Sequence, residues 1–140
     1  MGLAVVSETS VTFRLLGDEL DPDEVTSLLG VQPSDSRRKG GTWHTPKGKP
    51  MIARTGRWSL EIARAVPGDL STQIRQLLGR MTDDLSIWRD LTSRFEADFF
   101  CGLWLNRWNE GEVLMPDVLL MLGQRNIKLE LDIYSGNDDG

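Results

Sequence analysis

Few side chains in this 140-residue sequence could act as catalytic nucleophiles or bases, since it contains one histidine, His44, and one cysteine, Cys101. Ser–His or Cys–His catalysis would have to use His44, which lies in a Gly- and Pro-rich stretch typical of a solvated loop. Cys101 lies between Phe99 and Leu103 and is interpreted as a small core residue. The sequence has no Gly-x-Ser-x-Gly motif, no phosphate-cradling glycine loop and no His-x-x-x-His spacing. We therefore expect no catalytic residues, no metal site and no cofactor, and a protein that is not an enzyme.

The basic residues are concentrated in one stretch, residues 37–57, called here the basic segment. It holds seven of the 16 Lys and Arg residues and no acid, although the whole chain carries a net charge of −5. Guanidinium groups and glycine backbone N–H groups in the run 37–41 could surround an anion, and nearby indole rings could stack on a base or ring. The alternative is that this segment pairs with acidic groups of its own domain. The candidate residues for an anion or partner site are Arg37, Arg38, Lys39, Trp43 and Trp58.

Acidic side chains form a second candidate surface. Five of the seven residues 18–24, the acidic block, are Asp or Glu, and further acids lie on the polar face of the last predicted strand. In the alternative reading these groups are solvated, and Asp21 and Glu24 cap a helix. The residues predicted to face a basic partner are Asp18, Glu19, Asp23, Glu130 and Asp132.

Hydrophobic periodicity indicates which elements must position these groups. Apolar side chains alternate along residues 11–15, 58–62, 99–105 and 127–133, as in strands, and the third run is apolar on both sides. Helical patterns cover residues 22–29, 69–95 and 116–122. Asp21, Pro22 and Gly30 match an N-cap, a first helical position and a left-handed stop. Gly79 and Asp84 indicate that residues 69–95 form two helices or one kinked helix.

This order predicts one α+β domain over residues 1–140, with its core within residues 11–134. Residues 20–30 resemble residues 114–123, so we interpret the chain as two strand–helix–strand halves that share one sheet. The expected fold is a single-layer, mostly antiparallel four-stranded sheet with helices packed on one face, similar to a ferredoxin-like layer. Residues 34–57 would then be a mobile basic loop, and residues 135–140 a frayed acidic tail.

Several short runs carry a resemblance to a known family. They are Gly17-Asp-Glu-Leu-Asp-Pro-Asp-Glu-Val, Leu28-Leu-Gly-Val-Gln-Pro33, Arg38-Lys-Gly40, Gly56-Arg-Trp-Ser-Leu60 and Leu129-Glu-Leu-Asp-Ile-Tyr134. In this order they are similar to a bacterial family known as domain of unknown function 4279, over roughly residues 11–134. The resemblance implies a fold and transfers no catalytic residue. We further expect that some small relatives act as toxin-neutralising partners.

Taken together, the sequence favours a non-catalytic protein-binding module. We expect an immunity-type inhibitor whose acidic surface docks on a basic, toxin-like domain. The alternative is anion or nucleic-acid binding through the basic segment, opposed at long range by the acidity of the chain. A homodimer through an apolar strand edge, Trp104 or Trp108 stays open. Without a signal peptide, a run of 18 apolar residues or a disulfide pair, a cytoplasmic location without membrane contact is expected.

Overall fold

The computed structural model describes residues 5–135, in which strands and helices follow the predicted order with three additional short strands. The strands are β1 (Glu8–Gly17), β2 (Asp35–Arg37), β3 (Thr42–His44), β4 (Pro50–Ile52), β5 (Gly56–Glu61), β6 (Glu96–Trp104) and β7 (Lys128–Tyr134). The helices are α1 (Pro22–Leu29), α2 (Leu70–Arg80), α3 (Leu85–Arg94) and α4 (Pro116–Gln124). The tail predicted over residues 135–140 lies outside the described residues, except for Ser135.

The main sheet has five strands in the order β2-β5-β1-β6-β7 and is mixed. The expected α+β architecture is confirmed, but the sheet has five strands instead of four and contains one parallel pair. β1 pairs antiparallel with β5 and β6, and β2 pairs antiparallel with β5, but β7 runs parallel to β6. The parallel pair arises because α4 carries the chain back along the sheet before β7 begins. Only this second predicted half is a parallel strand–helix–strand unit.

One hydrophobic cluster lies between the sheet and the helices, with Phe13 of β1 at its centre. The Phe13 ring contacts the rings of Trp58, Trp88 and Phe99 at centroid distances of 6.1, 5.5 and 5.5 Å. Buried side chains of all four helices belong to the same cluster, so the helices pack on one face of the sheet, as predicted. Indole burial leaves a polar N–H to satisfy, and Trp58 Nε1 donates to Thr26 Oγ1 at 3.0 Å.

The helix ends follow local signals in the sequence. The Asp21 carboxylate accepts from the Asp23 backbone N–H, Pro22 is the first residue of α1, and Gly30 ends the helix at a φ of 79°. The expected capping role of Glu24 is wrong, because its carboxylate accepts from Arg94 at 2.9 Å instead. The helical stretch 69–95 is two helices, since α3 begins after an Asp84 N-cap.

Residues 34–57, predicted as a loop, contain regular structure, namely β2, β3, β4 and the start of β5 at Gly56. β2 extends the sheet beside β5, and β3 and β4 form a separate antiparallel hairpin. A tight turn closes the hairpin: the Gly48 backbone N–H donates to the Thr45 carbonyl at 2.7 Å, and Gly48 has a φ of 85°. Strands of three residues are too short for the alternation that identifies a strand in sequence.

Candidate functional site

All four helices cover one face of the sheet, and the opposite face, called here the open face, carries the polar and aromatic side chains. Side chains alternate along each strand, so residues paired with one another across the sheet share a face. Because Phe13 and Trp58 are in the core, their neighbours in sequence point the other way. The open face is formed mainly by Arg37, Arg57, Ser59, Glu61, Thr12, Arg14, Leu16, Asp98, Phe100, Trp104, Glu130, Asp132 and Tyr134.

Arg14 joins the two halves of the open face. Its Nε and Nη2 atoms donate to the two carboxylate oxygens of Asp98 at 2.8 and 2.6 Å, and Nη2 also contacts Glu130 at 3.2 Å. Its guanidinium carbon lies 4.6 Å from the centroid of the Phe100 ring. The hydrogen bond to Asp98 raises the pKa of Arg14. This bidentate geometry fixes the planar guanidinium group in the middle of the sheet.

An aromatic pair occupies the β6–β7 end of the open face. The rings of Trp104 and Tyr134 stack with centroids 5.0 Å apart and an interplanar angle of 10°, and the Arg64 guanidinium lies 4.3 Å from the Trp104 ring. Gly102 makes room for this arrangement, because a Cβ at that position would lie 2.6 Å from Trp104 Cη2. The Tyr134 hydroxyl donates to Asp132 at 2.6 Å, which raises the pKa of Tyr134. The indole ring therefore lies flat against the sheet and is only partly buried.

Part of the predicted anion site is neutralised by part of the predicted acidic surface. Arg38 pairs with Asp21 at 2.7 Å and with Asp23 at 3.4 Å, and Lys39 pairs with Asp18 at 3.0 Å. The bond from Lys39 lowers the pKa of Asp18. Pairing of the basic segment with its own domain, the alternative left open by the sequence, is thus what Arg38 and Lys39 do.

The other residues proposed from sequence are separated by the fold. Trp58 is fully buried, so its expected role as an exposed stacking surface is wrong. It lies beside Leu60 on the core face of β5. Glu19 is exposed at the end of β1. Glu130 and Asp132 do lie together on the open face, where they contact Arg14 and Tyr134 as described above. Of the acidic residues predicted to face a partner, only Glu130 and Asp132 therefore lie side by side on the open face.

Arg37 and Trp43 do meet, beside an arginine that the sequence did not single out. The Arg37 guanidinium stacks 3.9 Å from the Trp43 ring centroid, and its Nη2 pairs with Asp35 at 2.9 Å. Arg57 lies directly opposite Arg37 in the β2–β5 register. Burial, then the positive charges of Arg37 and Arg14, lower the pKa of Arg57. A cleft of about 280 Å³ adjoins both arginines and the hairpin.

The two residues considered for nucleophilic chemistry lie in opposite environments, one exposed and one buried. His44 is exposed on the β3 hairpin strand, as expected for a solvated histidine. Cys101 is fully buried on the core face of β6, where burial and the negative charge of Asp98 raise the pKa of its thiol to about 12. Residues 5–135 contain no group of three His, Cys, Asp or Glu side chains placed to hold a metal ion. Within the same residues, no helix has the length and apolar character to cross a membrane.

The strand patterns held a signal for Arg14 and Tyr134, which sequence reasoning missed, for Arg57, which it counted only as part of the basic segment, and for Trp104, which it considered only as an interface anchor. Each one alternates with residues assigned to the core, so each had to point to the opposite face. The pairing of strands, which sequence periodicity does not give, is needed to bring them together. The edge strand β7 also leaves Leu131 and Ile133 46% and 58% exposed. A homodimer through this edge stays a prediction.

Comparisons with known proteins give a family and no further relative. Searches of curated proteins and of solved structures found no match. The family model described as Domain of unknown function (DUF4279) matches residues 7–136, which confirms the resemblance based on the runs between Gly17 and Tyr134. The chain therefore belongs to the DUF4279 family.

Proposed function

We propose that the protein is a non-catalytic protein-binding module and that its open face is the binding surface. The observation that carries the proposal is the composition of this face, on which Trp104, Tyr134, Phe100 and Arg14 are partly or fully accessible. An uncovered sheet face that only meets water is usually polar. Trp, Tyr and Arg are instead the residues that contribute most binding energy at protein interfaces.

The charge pattern of the open face favours a particular partner. Arg37, Arg57 and Arg14 lie on the β2–β5–β1 side, whereas Glu130 and Asp132 flank the aromatic pair on β7. Opposite charges across an interface speed association and fix its register. A basic patch on the partner would therefore dock at the aromatic, acidic end, as expected for an immunity-type inhibitor that blocks a basic toxin domain.

Nucleic-acid binding through the basic segment is the weaker alternative. Arg38 and Lys39 are already paired with carboxylates, so a polyanion would have to compete with those contacts. Fewer released counterions mean a weaker, less salt-dependent interaction. The cations of the segment that form no ion pair within residues 5–135 are Lys47, Lys49, Arg54 and the half-buried Arg57.

The proposal is tested by replacing one tryptophan on the face and one away from it. The purified chain is titrated calorimetrically with a toxin domain encoded beside it, using wild type, Trp104→Ala and Trp108→Ala. Trp108 is the matched control, since it is 94% exposed and lies beyond the end of β6. Loss of this aromatic contact should weaken binding by at least about 30-fold, which corresponds to roughly 2 kcal/mol.

The same variants provide a cellular test. Co-expression of the wild type or Trp108→Ala with the toxin should restore growth, and co-expression of Trp104→Ala should not. Equal rescue by all three proteins, or equal affinity in the titration, would rule out the open face as the binding surface. Circular dichroism spectra that match the wild type exclude misfolding as the cause of a loss.

A further inference from the structure

A cleft lies where the β3–β4 hairpin meets the β2–β5 side of the open face. Its lining contains three arginines, and no Asp or Glu lines it. Apart from Thr55, apolar side chains form the rest of its wall, including the indole ring on which Arg37 stacks. The residues that line it are Leu16, Arg37, Trp43, Met51, Ile52, Ala53, Arg54, Thr55 and Arg57. We call this the arginine cleft.

Arg57 is the arginine of this cleft that is both half-buried and, within residues 5–135, outside any ion pair, since Arg54 is exposed and Arg37 pairs with Asp35. Its Nε atom is buried and has no hydrogen-bond acceptor. A buried donor without an acceptor destabilises a folded protein, and more so when the group is charged.

The sheet register adds like-charge repulsion to this burial. Arg57 lies directly opposite Arg37 on β2, and Arg14 lies diagonally across on β1, where Leu16 is the direct partner of Arg57. Like charges directly opposite one another on a sheet are destabilising. Asp35 pairs with Arg37, and Asp98 and Glu130 pair with Arg14, whereas Arg57 is attracted by Asp35 and Glu61 only from beyond ion-pair distance. An anion between Arg37 and Arg57 would remove the repulsion.

The apolar wall indicates what else the ligand carries. The Trp43 ring lies under the Arg37 guanidinium carbon at 3.9 Å, and Met51 and Ile52 lie on β4, the other strand of the hairpin. Ile52 is 65% exposed, so the apolar wall continues to the rim. A bare inorganic anion would leave these side chains in contact with water, whereas an anion attached to an aromatic or aliphatic group would cover them.

We propose that the arginine cleft binds an oxyanion, a carboxylate or a phosphate, carried on an aromatic or aliphatic group. Guanidinium groups bind both oxyanions by bidentate hydrogen bonds. This site goes beyond the proposed function, because it lies at the β2–β5 end of the open face, whereas Trp104 and Tyr134 lie at the β6–β7 end.

Isothermal titration calorimetry with small probes tests the site. Benzoate and phenyl phosphate separate the carboxylate from the phosphate source, and benzyl alcohol provides the same ring without charge. At least one of the two anions should bind saturably with a Kd of about 1 mM or below, and benzyl alcohol should bind at least about tenfold more weakly. Absence of saturable binding by both anions, or equal binding of benzyl alcohol, would overturn the proposal.

Two charge-matched substitutions locate the binding. Arg57→Gln removes a cation from the cleft, and Arg38→Gln removes one from the same segment outside it, at a side chain that is 56% exposed. We expect Arg57→Gln to weaken anion binding at least about tenfold and Arg38→Gln to change it less than about twofold. Ile52→Glu, at an exposed site, places a carboxylate at the rim and should weaken binding even if Arg57→Gln fails to fold. Equal effects of Arg57→Gln and Arg38→Gln, or no effect of Ile52→Glu, would show that the cleft is not the site.

Discussion

Removing Arg14 should destabilise the protein far more than removing the charge of its partner Asp98. The Asp98 side chain is 4% exposed and the Arg14 side chain 20%, so the carboxylate is the more buried member of the pair. In Arg14→Met, a carboxylate stays buried without a cation, which typically costs about 3–5 kcal/mol. In Asp98→Asn, Arg14 keeps Glu130 at 3.2 Å and partial contact with water, so the expected cost is about 1–2 kcal/mol.

Urea unfolding measures both costs. With a slope of about 2 kcal/mol/M for a domain of this size, Arg14→Met should lower the midpoint by about 1.5–2.5 M and Asp98→Asn by less than about 1 M. Tryptophan fluorescence reports the transition, because Trp58 and Trp88 lose their buried environment on unfolding.

A double variant separates an unpaired charge from lost packing. Arg14→Met combined with Asp98→Leu replaces the ion pair with apolar groups, so no charge is left buried. The double variant should therefore be more stable than Arg14→Met alone by at least about 1 kcal/mol, a non-additive result in a double-mutant cycle. Equal midpoints for Arg14→Met and Asp98→Asn, or simple additivity in the double variant, would refute this account of the pair.

Three further predictions concern single residues. The Cys101 thiol is buried with a pKa of about 12, so Ellman's reagent at pH 8 should label it only in urea, and rapid labelling of the folded protein would contradict its placement. Burial raises the pKa of Glu112, whose Oε2 has no partner, so its ionised form lowers stability at neutral pH. Glu112→Gln should therefore stabilise the protein at pH 7 by a few tenths to about 1 kcal/mol, a gain that disappears below about pH 4, where the carboxyl is protonated in both states. A Cβ at Gly79 of α2 meets nothing within 4 Å, whereas one at Gly56 lies 2.6 Å from the Gly17 carbonyl oxygen. Gly79→Ala should increase the free energy of unfolding by roughly 0.5–1 kcal/mol and so raise the midpoint of thermal unfolding. Gly56→Ala should lower that midpoint.

The elements that the sequence predicted correctly are those with a long run of periodic apolar residues or with a local capping signal. The alternation through Phe13 identified β1, and Asp21 and Gly30 marked the ends of α1, because these signals act over a few residues. Asp84 likewise divided the long helical stretch. The three-residue strands β2, β3 and β4 carry no such signal, and neither does the parallel pairing of β7, which depends on the path of α4.

The candidate site was predictable to a different extent. Arg37 and Trp43 were proposed from their types and proximity in sequence, and they do stack. Trp58 was assigned to the site, although its position two residues before Leu60 in an alternating strand already placed it on the core face. The strand pattern was therefore the better guide. Trp104 and Tyr134 are 30 residues apart in sequence, and only the β6–β7 register makes them neighbours.

Sheet register also decides where positive charge persists. In the sequence, Arg38 and Lys39 belong to the densest run of basic residues. Both come directly after β2 and pair with the acidic block that follows β1, a strand two positions away in the sheet. Arg57 has no basic neighbour closer than Arg54 in sequence, but β5 lies between β2 and β1, which present Arg37 and Arg14 to it. A cation on a strand between two others is held next to the like charges of both neighbouring strands, whereas a cation on an exposed loop can move away from them. Exposed pairs such as Arg38 with Asp21 add little stability. The residue with the strongest physical reason to bind an anion is therefore Arg57, because the fold fixes its position, and not the run of cations that the sequence makes conspicuous.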